Sequence, residues 1–237
     1  MSMNGTREEF LSIVIPLYNK HDVIKETVEC LSRVLTGAEF RYELIIIDDG
    51  STDRSVDAVE EIEHELTLIK LMINSGKGFA VKKGVESARG DLVVVFDADL
   101  DINPKSIIRL VEMMQESKHQ IIVSSKYHPK SSIDMTFTRK LIGIIWARIM
   151  RLVTGISVSD TQTGLKVYRI ETAKQLFSEL QSERFAFEVE VLLKAERLGL
   201  SIGEGPVEIS RQFKGGVGLS DGMQAIKDLF AIWKTNR

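Results

Sequence analysis

Leu92-Val93-Val94-Val95-Phe96-Asp97-Ala98-Asp99-Leu100-Asp101 is the stretch around which the rest of the chain falls into order. Five apolar residues without polar alternation are the pattern of a strand buried on both faces, as in a parallel sheet covered by helices. The run stops at three carboxylates, Asp97, Asp99 and Asp101. In an open α/β sheet, ligands bind in the crevice beyond the carboxyl ends of the strands, so acidic residues there are well placed for chemistry. Carboxylate oxygens suit hard cations such as Mg²⁺ or Mn²⁺, which accept phosphate oxygens as further ligands. The stretch therefore reads as a divalent-metal site for a phosphate-containing substrate. A solvated acidic turn capping the helix after Pro104 is the plainer alternative.

Working outward, strand, loop and helix repeat. Leu11 to Ile15 reads as a first strand ended by Pro16, and Pro16-Leu17-Tyr18-Asn19-Lys20 leads into a helix from about Asp22 to Leu35. A second buried strand, Leu44 to Ile47, runs into Asp48-Asp49-Gly50-Ser51-Thr52-Asp53. Gly50 permits a tight bend there, and Ser51 or Thr52 can cap an acidic helix running to about Glu65. A strand near Leu68 to Ile73, a loop Asn74-Ser75-Gly76-Lys77-Gly78 and a helix to Ala88 follow. Such alternation with short connections predicts an α/β fold, a mostly parallel twisted sheet with helices on both faces.

Beyond Pro104 the pattern predicts a helix to about Ser117, a strand from Gln120 to Ser125 and a polar loop over 126–136. Phe137 to Thr154 is an amphipathic helix: Arg139, Lys140, Arg148 and Arg151 fall on one half of its circumference, and an apolar face with Trp146 on the other. That suits a membrane interface holding anionic lipid, and equally an ordinary core-facing helix. Asp160-Thr161-Gln162-Thr163-Gly164 is a turn before a strand from Leu165 to Arg169, with helices at Thr172 to Leu180 and Phe187 to Leu198. Glu188 and Glu190, two apart on the second of these, point to different faces, so at most one can face a site. A strand at Val207 to Ser210 leads into Arg211 and a basic, glycine-rich loop to Gly218 that suits phosphate, and a last helix spans Leu219 to Trp233.

With 237 residues, 43% hydrophobic and 27% charged, the chain can bury a full core. A net charge of −3 carries no polyanion signature, so nucleic acid is not an expected partner. The single cysteine, Cys30, excludes an internal disulfide framework and a cysteine-rich zinc site. His21, His64, His119 and His128 lack metal-ligand spacing. No Gly-x-Gly-x-x-Gly follows the first strand, which disfavours a dinucleotide-dependent dehydrogenase. Neither a signal pattern nor a membrane-spanning run is visible, and a cytoplasmic location is expected.

Five motifs in order and approximate spacing, Pro16 to Asn19, Asp48 to Asp53, Gly76 to Gly78, Asp97-Ala98-Asp99 and Asp160 to Gly164, resemble those of the inverting family 2 glycosyltransferases with the GT-A fold. The second half is similar to the polyprenyl-phosphate branch, whose dolichyl-phosphate glucosyl and mannosyl types both resemble the chain. The run Asp160 to Lys166 and the later Arg184 to Glu190 look more like the glucosyl type. The resemblance implies one domain over 1–237: a nucleotide-sugar half at about 10–101, an acceptor half at about 102–220 and a C-terminal helix at 221–237. It implies a UDP- or GDP-hexose donor, a polyprenyl-phosphate acceptor, Mg²⁺ or Mn²⁺, and peripheral contact with the cytoplasmic face of a membrane.

By the same resemblance, Pro16, Tyr18, Asn19, Asp48, Asp49, Lys77, Asp97 and Ala98 would bind the nucleotide sugar. Asp97, Asp99 and Asp101 would hold the metal, with Asp97 divided between metal and ribose and Asp101 between ligand and cap. Asp99, Asp160 and Arg211 would be catalytic, and Lys126, Arg139 and Arg211 would bind the acceptor phosphate. Lys20 stands where many relatives have Glu, Asp101 where mannosyl enzymes often have Gln, and Lys126 where relatives frequently have Arg. Transfer to a saccharide hydroxyl, with Asp160 as base, and a non-catalytic nucleotide-sugar-binding subunit are the competing expectations.

Overall fold

The computed structural model describes residues 9–133, 155–182 and 186–209. Strand and helix alternate through β1 (Phe10–Leu17), α1 (His21–Gly37), β2 (Arg41–Asp48), α2 (Ser55–Glu60), β3 (Thr67–Lys70), α3 (Lys77–Ser87), β4 (Leu92–Phe96) and α4 (Lys105–Glu116). β5 (Ile121–Ser125), β6 (Leu165–Arg169), α5 (Ile170–Ser178), α6 (Phe187–Arg197) and β7 (Ile202–Pro206) follow. The strands form a seven-stranded sheet in the order β3-β2-β1-β4-β6-β5-β7. β1 pairs in parallel with β2 and β4, β2 with β3, and β5 with β7. β6 alone runs antiparallel, to β4 on one side and β5 on the other.

Side-chain alternation along the buried strands builds a core on each face of the sheet. Leu11, Ile13, Ile15, Leu44, Ile46, Leu92, Val94 and Phe96 pack toward α1 and α4. Val14, Ile45, Ile47, Val93 and Val95 pack toward α3, α5 and α6. Helices therefore cover both faces, as the unbroken apolar runs require. At the edge opposite the strands' carboxyl ends, Glu43 on β2 accepts from the Ser12 hydroxyl at 2.6 Å and from the Arg89 guanidinium at 2.7 Å, tying the end of α3 to β1 and β2.

Three elements differ from expectation. α2 ends at Glu60 instead of near Glu65. Glu61, Glu63 and Glu65 would place negative charge against the negative end of the helix dipole. Ser51 and Thr52 do not cap it either: Asp53 accepts the Ser55 N–H at 2.9 Å, while the Ser51 hydroxyl accepts from the Asn19 N–H at 3.0 Å. The last described strand is Ile202–Pro206, and residues 207–209 make only isolated bridges, Ile209 with Ile102 and Glu208 with Ser132. Gly203, Gly205 and Pro206 obscure that strand in the sequence, and packing overrides their weak strand propensity. The expected helices Phe137 to Thr154 and Leu219 to Trp233 lie outside the described residues. Among the described residues, no helix is long and apolar enough to cross a membrane.

α3 matters most to the site because Lys77 opens it. Its distance from the sheet is set at Gly84, where a Cβ would lie 2.3 Å from Val14 Cγ1 and 2.6 Å from Ile47 Cδ1. Gly84→Ala should therefore destabilise the protein by about 1–3 kcal/mol through overpacking. Thermal unfolding of this variant, set beside an exposed Ala control such as Ser87→Ala, measures the effect; an unchanged melting temperature contradicts the close contact.

Candidate active site

Because β6 runs against its neighbours, its amino-terminal end arrives at the same rim as the carboxyl ends of β1, β2 and β4. Leu165 pairs with Phe96, and the Asp97 N–H donates to the Gly164 carbonyl at 3.1 Å. The turn at Asp160 to Gly164 thus lies beside Asp97, although more than sixty positions separate them in sequence. The fit leaves no space for a side chain at Gly164, whose Cβ would stand 2.1 Å from Asp97 Oδ2.

The turn after β4 is held from behind. The buried Thr27 hydroxyl of α1 donates to the Ala98 carbonyl at 2.8 Å. Ala98 is 4% exposed, and its carbonyl is engaged in this anchor. Leu100 takes a φ of 56°, an uncommon conformation for a branched residue, with its side chain buried. The Asp101 N–H donates to Asp99 Oδ1 at 3.2 Å. Among the described residues, no three of His, Cys, Asp and Glu gather around one cation position. Asp101 stays divided between ligand and cap, while Asp97 and Asp99 stand together at the end of β4. Those two still fit Mg²⁺ or Mn²⁺, which is commonly held by one or two carboxylates with substrate phosphates and water filling the shell. Asp97 Oδ1 is buried without a hydrogen bond and, among the described residues, its direct ion pair is with the Lys77 ammonium at 2.8 Å, with Lys166 adding a further electrostatic attraction.

On the β1–β2 side, the expected nucleotide residues divide into braces and available groups. Asn19, at φ 50°, accepts the Thr52 N–H at 2.8 Å and the Asp53 N–H at 3.3 Å through its side-chain oxygen. Asp49 is 3% exposed and accepts the N–H groups of Ser75 and Gly76 at 2.7 and 2.8 Å. Both side chains are occupied in pinning loops, the first onto the β2–α2 turn and the second onto the β3–α3 loop. Asp48 accepts only the Ser51 N–H among the described residues, at 3.2 Å, and keeps acceptor capacity. Pro16 sits near the end of β1 beside Ile47, and Tyr18 stands out from the rim at 43% exposure, large enough to offer a ring face.

Toward β6, four charges meet. Lys77 Nζ lies 2.8 Å from Asp97 Oδ1 and 3.1 Å from Glu188 Oε1, and Lys166 Nζ lies 3.4 Å from the same Glu188 oxygen. Burial works against the Lys77 ammonium, but Asp97 and then Glu188 outweigh it and hold its pKa above the ordinary value. Burial pushes Lys166 below its ordinary value; Glu188 resists, and Lys77 adds to the depression. Lys166 also donates to the Thr163 carbonyl at 2.7 Å. Glu190 points away, as its spacing from Glu188 requires, and accepts the N–H groups of Gln181 and Ser182 at 2.9 and 2.7 Å.

Asp160 is 6% exposed and surrounded by donors. Its Oδ2 accepts from the Lys126 N–H and ammonium, both at 3.0 Å, and from the Thr163 hydroxyl. Oδ1 accepts the Gln162 N–H at 3.2 Å. Burial alone would raise the Asp160 pKa, yet the Lys126 charge, the Thr163 hydroxyl and the Lys126 N–H together hold it below the usual carboxylate range. Lys126 Nζ also reaches the Thr163 hydroxyl oxygen at 3.0 Å. Arg139 and Arg211 lie outside the described residues. Lys166, Thr163 and Gly164 were not singled out as site residues, and helix spacing allowed at most one of Glu188 and Glu190 to face a site. A lysine inside the apolar strand Leu165 to Arg169 was the available signal for the first.

Comparison with known proteins follows these motifs. The family model described as Glycosyl transferase family 2 matches residues 12–177. A dolichyl-phosphate beta-glucosyltransferase of Trichomonas vaginalis is 31% identical over 214 residues, covering 84% of this chain and 65% of the relative. One of Dictyostelium discoideum is 30% identical over 211 residues, covering 82% and 64%. The chain thus spans just under two thirds of the length of these curated relatives. Glucosyl-3-phosphoglycerate synthase from Mycobacterium tuberculosis, in complex with Mn²⁺, uridine-diphosphate and glucosyl-3-phosphoglycerate, superimposes with a TM-score of 0.74 at 19% identity, covering 95% of this chain and 80% of that one. Its complex with uridine-diphosphate gives 0.72 at 20% identity, with the same coverage. The likeness to these structures shows the GT-A fold.

Two outcomes are expected from this geometry. Gly164→Ala should force the Asp97 carboxylate or the β4–β6 join to shift and destabilise the protein by about 1–3 kcal/mol through overpacking; thermal unfolding reads the loss, and an unchanged melting temperature contradicts the close contact. Asp160 is more acidic folded than unfolded, where the value is about 3.9. The stability it contributes is therefore fully present above that pH and is lost as pH falls through the lower, folded value. Melting curves from pH 7 down to 3 should show a shallower acid limb for Asp160→Asn than for the wild type.

Proposed function

Because the chain belongs to glycosyl transferase family 2, we propose that it transfers a hexose, with inversion, from a nucleotide sugar to a polyprenyl phosphate of the dolichyl type. The observation that carries this is the state of Asp160. A carboxylate that accepts four hydrogen bonds and is held more acidic than usual is a poor proton acceptor. A sugar hydroxyl needs such an acceptor during attack. A phosphate monoester, with a second pKa of about 6, is largely dianionic at neutral pH and attacks without one. Asp160 then orients Lys126, whose ammonium retains a third N–H beyond those directed at Asp160 and Thr163 for an acceptor oxygen.

In this reading, an acceptor phosphate oxygen bonds to the anomeric carbon as the bond from that carbon to the nucleoside diphosphate breaks. Tyr18 and Asp48 contact the nucleotide base and Lys77 the diphosphate side, while Lys126, Arg139 and Arg211 hold the acceptor phosphate. Asp97 and Asp99 would hold Mg²⁺ or Mn²⁺, which neutralises charge on the departing diphosphate. The relatives named as dolichyl-phosphate beta-glucosyltransferases, and the uridine-diphosphate bound in the structural neighbours, favour UDP-glucose over GDP-mannose. The basic amphipathic run Phe137 to Thr154 favours peripheral contact with the cytoplasmic face of a membrane.

The test is nucleoside diphosphate release from UDP-glucose and GDP-mannose, with Mg²⁺ or Mn²⁺, with and without a short polyprenyl phosphate. UDP release that needs both metal and lipid phosphate, and that survives Asp160→Asn to within about tenfold, is expected; loss of a true base costs about 10²–10⁴. Release stimulated by a saccharide and not by lipid phosphate, with the deep loss on Asp160→Asn, would overturn the proposal.

A further inference from the structure

No ion pair or hydrogen bond joins Glu188 to Asp97 or Asp99 among the described residues, yet it faces the ammonium in direct contact with Asp97. We infer that Glu188 is a positioning residue for the cation site: it is the second anchor of the Lys77 ammonium and draws it off Asp97 when a divalent cation takes that carboxylate. Glu188 thereby sets the cation affinity of a site it does not line. The inference rests on the reading of Asp97 and Asp99 as the cation's carboxylates.

Three observations support the exchange. First, Asp97 Oδ1 is buried, lacks a hydrogen bond and is matched by Lys77 at 2.8 Å, so an arriving cation competes with that ammonium for one carboxylate. Like charges in such a small volume repel strongly away from bulk water. Second, an ammonium displaced from Asp97 with nowhere to go would be left buried without compensation, which is heavily unfavourable. Glu188 Oε1 already lies 3.1 Å from Lys77 Nζ, so a rotation of the flexible lysine stem completes the exchange without moving α3. Third, Glu188 is held for this task. It is 5% exposed in the first turn of α6, where the helix dipole favours a carboxylate. Its other basic neighbour, Lys166, is retained by the Thr163 carbonyl at 2.7 Å and does not follow Lys77. Glu190 cannot substitute, being engaged with Gln181, Ser182 and Lys194.

The test is Mn²⁺ binding to the full, nucleotide-free chain, followed by the electron paramagnetic resonance signal of free Mn²⁺. Wild type, Asp99→Asn, Lys77→Met, Glu188→Gln and the Lys77→Met/Glu188→Gln pair are compared, with melting temperatures recorded for each. Glu188→Gln should weaken Mn²⁺ binding, and Lys77→Met should tighten it, each by about tenfold as expected for one charge changed at close range. In the Lys77→Met background, Glu188→Gln should have no further effect, which a general structural defect would not reproduce. Mn²⁺ binding that depends on Asp99 but is unchanged in Glu188→Gln, or is weakened equally with and without Lys77, overturns this inference alone. Absence of any Asp99-dependent Mn²⁺ binding in the wild type overturns the metal reading and this inference with it. Should Glu188→Gln fail to fold, Lys77→Met decides by itself: equal or weaker binding than wild type overturns the inference.

Discussion

The reversed pairing of β6 between β4 and β5 is the constraint on which the site depends. Six strands deliver their carboxyl ends to one rim, and only a strand running the other way can deliver an amino-terminal turn there as well. That turn carries Asp160, Thr163 and Gly164. Its register, with Leu165 opposite Phe96, places Gly164 against Asp97 and Lys166 level with Val95 on the inner face. A shift by one residue would send Lys166 to the opposite face and break its contact with Glu188. The site is therefore specified by main-chain hydrogen bonding before any of its side chains meet.

Compensation of charge is the second theme. The carboxylates of the rim are nearly all matched: Asp49 by two backbone N–H groups, Asp160 by a lysine, a hydroxyl and two N–H groups, and Asp97 by Lys77. Carboxylates of the same type thus serve different ends according to their surroundings. Asp49 shapes a loop, Asp160 is held below the usual carboxylate range by the Lys126 charge and its donors, and Asp97 lies in direct contact with the ammonium of a flexible lysine. The last arrangement suits a group that must exchange partners.

Much of the fold could be read directly from apolar runs and their punctuation. Leu92 to Phe96, Ile13 to Ile15 and Leu44 to Ile47 have no polar alternation, and the strands formed there are buried on both faces. β7 was misplaced because Gly203, Gly205 and Pro206 carry a turn's composition into a strand held by β5. The direction of β6 is invisible to local pattern, since a short apolar strand has the same periodicity either way. In the site, residue types at the ends of strands were informative, but roles were not. Asn19 and Asp49 stand in sequence as expected ligand residues, and the structure adds that both brace loops, because only the fold shows which backbone N–H groups lie in front of them. Lys166 was hidden for the converse reason, and the choice between Glu188 and Glu190 stayed open with it. Lys166 and Glu188 take their meaning from each other, across helix α6 and strand β6.

The division between braces and available groups at the β1–β2 rim also separates shape from choice. Asn19 and Asp49 hold the loop backbones, while Tyr18 stays exposed and Asp48 keeps acceptor capacity. In many binding loops a residue that reads the ligand also holds the loop, so a change of preference deforms its own support. Here the two tasks fall to different side chains. A lineage could exchange Tyr18 or Asp48 and change the chemistry this rim exposes on an unaltered frame, which makes this half of the rim an evolvable adaptor on a fixed chassis.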